Sequence, residues 1–347
     1  MTRRALREYV TAYVDEIGSL RYRDISSIQP APYASLARGA GGIVYVLWRR
    51  GERRAARRWL KALAADRRRA AYKYSELDFP RSSFMYGRAG LHWLGALLET
   101  DGADAAYARE GASVVDTSFM AGSAGYLTGA RILLERGPQP AVHRRAAAMA
   151  SAMLAKVHDA RPWNRLEASG FAVRLPGLLH ALLAWHQHVG ETLPAWLVTA
   201  MHALAQAWTL DAVPAGFTAT WCNGAPGMTL LWAKAFECTN DEQFLDAARR
   251  MATLAISVDE QRSILCCGLA GVAYSLLELA RHDPTNNNDW RERAFDIGVR
   301  AVANACSTPL HWPNGLYVGH PGIVCLAADL LSDQPQGFPA IYERIKR

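Results

Sequence analysis

Six cysteines carry most of the chemistry this chain can do: Cys222, Cys238, Cys266, Cys267, Cys306 and Cys325. Cys222 lies in the string Thr220-Trp221-Cys222-Asn223-Gly224, and Cys266-Cys267 directly precede Gly268. A thiolate is both a nucleophile and a soft metal ligand. Three thiolates with one open position make a catalytic zinc site, whereas four protein ligands make a closed structural one. No CxxC pair is present, so spacing alone leaves two readings of these three: a metal site, or ordinary buried thiols. The other three, Cys238 and Cys325 in helical runs and Cys306 near a connection, read as small hydrophobes. Disulfides are rare in large cytosolic chains, so a disulfide scaffold is not expected.

The elements that must position these thiols repeat along the sequence. A short glycine signature followed by an apolar run occurs seven times, at 35- to 52-residue intervals: Gly39 to Gly42, Gly87 to Gly90, Gly122 to Gly125, a degenerate copy from Arg174 to Gly177, Gly224 to Gly227, Gly268 to Gly271 and Gly319 to Gly322. Such an interval holds two helices and two connections, the size of a helical-hairpin repeat. The run after each signature is apolar nearly all round, as in a helix buried on every side, and the intervening segments are amphipathic. Glycine there permits positive φ and close backbone approach, and a small-residue entrance leaves helix N–H groups open to a ligand. An open solenoid needs polar end caps, which neither terminal repeat supplies. The expected fold is therefore all-α: an α/α toroid of seven inner and seven outer helices, residues 1–347 as one domain, with the glycine turns lining one end of a central cup. Cys222 and the Cys266-Cys267 pair belong to neighbouring modules, so closure of the ring would set them side by side at that mouth.

With 347 residues, half of them hydrophobic and 20% charged, the chain can bury a large core, which excludes disorder. The net charge of +7 concentrates between Arg49 and Arg69, where Arg49, Arg50, Arg53, Arg54, Arg57, Arg58, Lys61, Arg67, Arg68 and Arg69 fall. That segment reads as the solvated face of an outer helix with Trp59, Leu60 and Leu63 turned inward; the competing reading is a patch that attracts an acidic partner. No aromatic interleaving accompanies it, so no nucleic acid is expected. Glu8, Asp15 and Glu16 interrupt any signal-peptide run near the N-terminus, and Pro309, Pro313, Pro321, Gly315, Gly319 and Gly322 interrupt the longest uncharged stretch. A cytoplasmic protein with no membrane span is expected.

The seven glycine turns, the string Trp221-Cys222-Asn223-Gly224-Ala225-Pro226-Gly227 and the string CCGLAG from Cys266 resemble the lanthionine synthetase C-like (LanC-like) cyclases, and the resemblance runs through all seven repeats. SSFMYGRAG from Ser82 and GLYVGHPGIVCLAADLLSDQPQGFPAIYE from Gly315 are similar to the eukaryotic-type branch, although the cysteine pair is not. The resemblance implies an α/α toroid with Zn2+ at its mouth. The family holds zinc with the cysteine of the WCxG string and a Cys-His pair before the next turn. Those positions are Cys222, Cys266 and Cys267 here, so a cysteine replaces the usual histidine, as in the CCG variant of some bifunctional members. The implied reaction adds a substrate cysteine thiolate to a dehydroalanine or dehydrobutyrine of the same peptide, closing a (methyl)lanthionine thioether ring.

The attack leaves an enolate that needs a proton and charge stabilisation. The family places a histidine for this in its fourth module, in a string like AHGxxG, but this chain reads Ala172-Val173-Arg174-Leu175-Pro176-Gly177. His320 in the seventh turn, Arg174 at the fourth, and His180 one turn into the fourth inner helix are the candidate replacements. Asp116, ahead of the third module, loosely resembles an acidic residue the family uses. Three functions stay open: a cyclase acting on a dehydrated ribosomal precursor peptide; an enzyme adding glutathione or another small thiol to dehydroamino acids in proteins; and a catalytically weak scaffold. In the first, the partners are the dehydrated peptide, with an acidic leader for the basic segment, and a separate dehydratase or kinase/lyase enzyme that makes the dehydroamino acids.

Overall fold

The computed structural model describes residues 2–20, 34–66, 82–114, 116–160, 170–207 and 219–344. Arg67, Arg68 and Arg69 lie outside the described residues. Among those described, the chain forms fourteen α-helices, one short 3-10 turn and no strand. Helices α1 (Arg3–Ser19), α3 (Arg53–Asp66), α5 (Ala103–Glu110), α7 (Pro140–Ala160), α9 (Ala195–Ala207), α11 (Glu242–Ser257) and α13 (Asn287–Ser307) are the seven outer ones. The seven inner ones are α2 (Gly41–Arg49), α4 (Arg88–Leu97), α6 (Ser123–Arg136), α8 (Leu175–Val189), α10 (Ala225–Thr239), α12 (Leu269–His282) and α14 (His320–Leu330), each starting within the glycine signature. Every residue of α2 is buried, as are the first twelve of α8 and α12 and the first eleven of α10. The outer α11 buries only the stripe Phe244, Leu245, Ala247, Ala248, Met251, Ala252 and Ala255. None of the described helices is long and apolar enough to cross a membrane.

Inner helices pack on their sequence neighbours, and α14 packs on α2, so the ring closes. At one end the closure is made by backbone. The residue two places before each signature belongs to a circle of turns: the N–H of Tyr317 donates to Ala37 O (3.0 Å), Ala37 to Met85 O (2.9 Å), Met120 to Ala172 O (2.8 Å), Ala172 to Cys222 O (3.1 Å), Cys222 to Cys266 O (3.3 Å) and Cys266 to Tyr317 O (2.8 Å). Ser83 Oγ bridges the remaining gap to Met120 O at 2.7 Å. One place earlier stand Leu36, Phe84, Phe119, Phe171, Trp221, Leu265 and Leu316, all at most 1% exposed. They fill the ring axis, with Phe119, Phe171 and Trp221 in mutual ring contact at 5.3 to 5.6 Å. On the other side of the circle stand Arg38, Tyr86, Ala121, Val173, Asn223, Cys267 and Val318: Val173 and Asn223 are exposed, Arg38, Cys267 and Val318 are half-buried, and Tyr86 and Ala121 are buried.

The glycines act through space rather than through positive φ. The first signature residue is extended, with φ between −113° and −164° from the second copy to the seventh, and Arg174 adopts the same conformation (φ −134°, ψ −166°). The degenerate copy therefore shares the backbone conformation of the others. Space is short at both ends of the signature: a Cβ on Gly177, Gly227 or Gly271 would overlap the carbonyl oxygen of Phe171, Trp221 or Leu265, and one on Gly122, Gly268 or Gly319 that of Asp116, Arg262 or Pro313. The helix entrances are also less open than small residues imply. Ser123 N–H donates to Asp116 O (2.8 Å), Leu269 N–H to Arg262 O (2.8 Å) and His320 N–H to Pro313 O (2.9 Å), so the preceding loop satisfies them.

At the opposite end the segment 332–344 enters the axis. Phe338 reaches Trp221, Tyr274 and Tyr317 at ring distances of 5.3, 5.3 and 6.1 Å. Buried polar contacts then fix the segment to six inner helices. Arg49 binds Asp329 (2.9 Å), Gly337 O (2.6 Å), Gln336 (2.6 Å) and Tyr45 (2.9 Å), and Glu343 accepts from Tyr45. Arg131 donates to Ile341 O (2.6 Å), Tyr342 pairs with His180 (2.6 Å) and stacks under Lys234, and Arg344 makes a two-pronged pair with Glu278 (2.5 and 2.8 Å). Arg49, first of the basic run, is therefore a buried core cation. The rest of that helix follows the solvated-face reading: Trp59 and Leu63 are buried, and Arg53, Arg54, Arg57, Arg58 and Lys61 are exposed. Arg57 also donates to Leu98 O at 2.8 Å, and Arg58 to Gly18 O.

Candidate metal centre at the mouth of the ring

Cys222 and Cys266 hold the same register in the fifth and sixth turns, so the hydrogen bond between their backbones brings their side chains together. Cys267 is one residue further toward solvent. Cys222 Sγ lies 3.3 Å from Cys267 Sγ, Cys267 Sγ lies 3.3 Å from Cys266 Sγ, and all three sulfurs lie within 4.8 Å of one another. Thr220 Oγ1 approaches Cys222 Sγ at 3.6 Å and accepts from Asn223 N–H at 3.3 Å, which holds the turn. The floor below is the buried Trp221 and Leu265.

The sulfurs share charge unequally. Hydrogen bonds from the Cys266 and Cys267 thiols pull Cys222 well below the usual thiol range, and the same bonds to Cys222 push Cys266 and Cys267 up. One thiolate forms readily in the cluster, and two more require a compensating cation. That demand fits zinc. Zn–S bonds of about 2.3 Å set tetrahedral sulfurs about 3.8 Å apart, so the two 3.3 Å separations would open by about half an ångström around the ion.

Two residues not singled out in the sequence share this mouth. The Tyr86 hydroxyl lies within electrostatic reach of Cys266, Cys222 and Cys267 and of Arg38; burial first, then the sulfurs, keep it a neutral phenol. The Arg38 guanidinium stands over the Tyr86 ring (5.5 Å) and the Trp312 ring (5.8 Å). The signal that could have found them is register: Arg38 and Tyr86 occupy in turns one and two the place of Cys267 in turn six and Val173 in turn four.

The three cysteines are thus brought together, and the acid-base candidates are distributed elsewhere. His320 pairs through Nδ1 with Tyr9 of α1 at 3.0 Å and lines a cavity of about 370 Å³ with Tyr13, Glu16 and Asn314; burial lowers its pKa. His180 is fully buried against Tyr342 at the closed end, and burial there holds it well below the usual histidine range, so it serves the tail contact and not the mouth. Asp116 accepts from Ser118 N–H (2.5 Å) and lines an outer groove with Arg145 and Lys156. Arg174 is exposed beside Val173, which is itself 54% exposed. Of the remaining thiols, Cys325 is buried and Cys238 half-buried, as small hydrophobes are, but Cys306 is exposed at the end of α13, where the helix turns its polar face outward.

Residues 32–342 match the family described as lanthionine synthetase C-like protein, and the chain belongs to that family. Among solved structures, nisin cyclase superposes with a TM-score of 0.69 over 96% of this chain and 97% of its own, at 15% sequence identity. At that identity the match establishes a shared helical toroid.

Proposed function

We propose that this member of the family is a zinc-dependent cyclase that adds a peptide cysteine to dehydroalanine or dehydrobutyrine, forming (methyl)lanthionine rings in a ribosomally made peptide. The observation that carries the reading is the convergence of Cys222, Cys266 and Cys267 at the glycine-turn end of the toroid. Zinc held by these three would supply the positive charge that keeps a substrate thiol deprotonated at neutral pH, where a free thiol with pKa about 8.5 is mostly protonated.

The chain's own residues do the rest. The apolar ring below the sulfurs seals the floor against water, so a peptide entering the mouth meets the thiols in a partly dry cup. The turn backbones are tied to one another and hold the sulfurs in fixed geometry. A separate dehydratase or kinase/lyase enzyme would supply the dehydrated residue, and cytoplasmic encounter with it is part of the proposal.

Two measurements test this. The purified protein should contain about one zinc per chain, with three sulfur neighbours at about 2.3 Å in its X-ray absorption spectrum, and Cys222→Ser should abolish it. Mass spectrometry of a dehydrated peptide with an internal cysteine should show loss of free thiol without mass change. Consumption only when glutathione is added would replace the cyclase with the external-thiol enzyme, and no consumption with zinc bound would leave a scaffold.

A further inference from the structure

We infer that Arg38 is the oxyanion-binding group of this mouth: its guanidinium receives the carbonyl oxygen of the dehydroamino acid as negative charge develops there. This rests on the proposed thiol addition. In that step a sulfur lone pair forms the C–S bond at Cβ, the C=C π pair shifts to leave an enolate, and Cα takes a proton from water in place of the one the thiol gave up. The charge therefore appears on an oxygen three bonds beyond the carbon attacked, and a fixed donor must stand across the substrate from the sulfurs.

Position meets that requirement. Cys266 bonds to Tyr317 and Tyr317 to Ala37, so a single turn separates the sixth from the first around the circle. Arg38 and Cys267 occupy equivalent solvent-side places on those turns, with Val318 between them. Across the same mouth, Tyr86 senses the charge of both the sulfurs and Arg38.

Charge meets it too. Arg88 is paired with Glu110 (3.2 Å), and Arg262, which also lies within electrostatic reach of Cys267 and Cys222, is paired with Glu260 (2.7 Å). Arg38 is held by Tyr86 and Trp312, both buried, and no carboxylate among the described residues lies in ion-pair reach of it. Its buried Nε makes no hydrogen bond. A guanidinium oriented by two aromatic faces and left without an anion is a pre-organised receptor for one. Of the other residues at this level, Ala121, Val173 and Val318 can neither donate a side-chain hydrogen bond nor carry charge, Asn223 can donate but carries no charge, and Val173 stands where the resemblance expects a histidine.

The test compares full-length wild type, Arg38→Gln, Arg38→Lys and, as control, Arg88→Gln. The first readout needs no turnover: the rates at which iodoacetate and iodoacetamide alkylate Cys222, Cys266 and Cys267, located by peptide mapping. A cation at the mouth favours the anionic reagent, so the iodoacetate-to-iodoacetamide ratio should fall several-fold in Arg38→Gln, stay near wild type in Arg38→Lys and be unmoved in Arg88→Gln. The second readout is thioether formation, where Arg38→Gln should lower kcat about 10²- to 10³-fold, the loss of one oxyanion donor, with zinc content and KM close to wild type; Arg38→Lys should recover part of it. An unchanged reagent ratio in Arg38→Gln overturns the anion site whatever the turnover. A fallen ratio with wild-type kcat overturns the catalytic role. A fallen ratio in a protein whose wild type consumes no dehydrated peptide overturns the cyclase reading and leaves the anion site standing.

Discussion

Replacing Arg49 with methionine should make the stability of the protein pH-dependent in a stated direction. Arg49, Asp329 and Glu343 have side chains 1%, 4% and 2% exposed, and the cation touches Asp329 at 2.9 Å and Glu343 at 3.9 Å. Burial pushes both carboxyls up even with the arginine present. Methionine keeps the stem but leaves two buried acids with no cation, a loss of about 3–5 kcal/mol at pH 7.5. The acids can escape by protonating. A carboxyl whose folded pKa is raised contributes its full stability below its unfolded pKa and loses it as pH rises toward the folded value. If one carboxyl becomes protonated in the folded variant and stays ionised in the unfolded chain, lowering the pH from 7.5 to 5.5 returns about 2.7 kcal/mol, at about 1.36 kcal/mol per pH unit. Urea titrations followed by circular dichroism at the two pH values measure this. Arg49→Met should therefore be severely destabilised at pH 7.5 and only mildly at pH 5.5. A deficit under about 1 kcal/mol at pH 7.5, or one equal at both pH values, would refute the account of the tail as an ion-locked plug.

Gly227→Ala should cost about 3 kcal/mol or more in the same titration, because the new Cβ would overlap Trp221 O and lie 2.7 Å from Phe171 Cβ, and neither can retreat in a close-packed axis. His180→Ala should lower unfolding free energy by about 2–4 kcal/mol, from a lost buried contact and an orphaned Tyr342 hydroxyl, while zinc content stays at wild type; a normally stable variant with slowed chemistry would reinstate His180 as a mouth residue. Neutralising Arg53 and Arg54 together should leave affinity for an acidic leader peptide unchanged across a salt series measured by fluorescence anisotropy, and a steep salt-dependent loss would return α3 to the docking reading.

The ring was legible because its two periodicities are written in residue types that nothing else explains: glycine pairs at hairpin intervals, and runs such as LLHALLAW that only an enclosed helix can bury. Cys222, Cys266 and Cys267 were legible as a set because repeats convert sequence spacing into register. The tail was not. Gln336, Glu343 and Arg344 look like ordinary polar residues near a terminus, and only the structure shows that their partners are Arg49, Tyr45 and Glu278, in helices 60 or more residues away. Arg49 was misread for the same reason: a basic run has no local mark that tells its first member from the rest. Glycine chemistry was half legible, since close approach and positive φ ask for the same residue, and the backbone angles alone show which one operates.

The contrast between neighbouring turn positions explains how this chain can differ from its family at the mouth and keep the fold. The places occupied by Leu36, Phe84, Phe119, Phe171, Trp221, Leu265 and Leu316 fill the axis, so a change of volume there is felt by the neighbouring side chains in a close-packed core. The next places are joined through main-chain groups, which any side chain leaves in place. Some of the solvent-side places carry little packing: Val173 is 54% exposed and Asn223 is exposed as well, whereas Tyr86 and Ala121 are buried. A histidine can become Val173 there, or a metal-ligating histidine become Cys267, at small cost to stability. Where a binding group is lost from one place at this level, the same ring offers other places within reach of the same substrate atoms, and the residues that can use them are Arg38 and Tyr86.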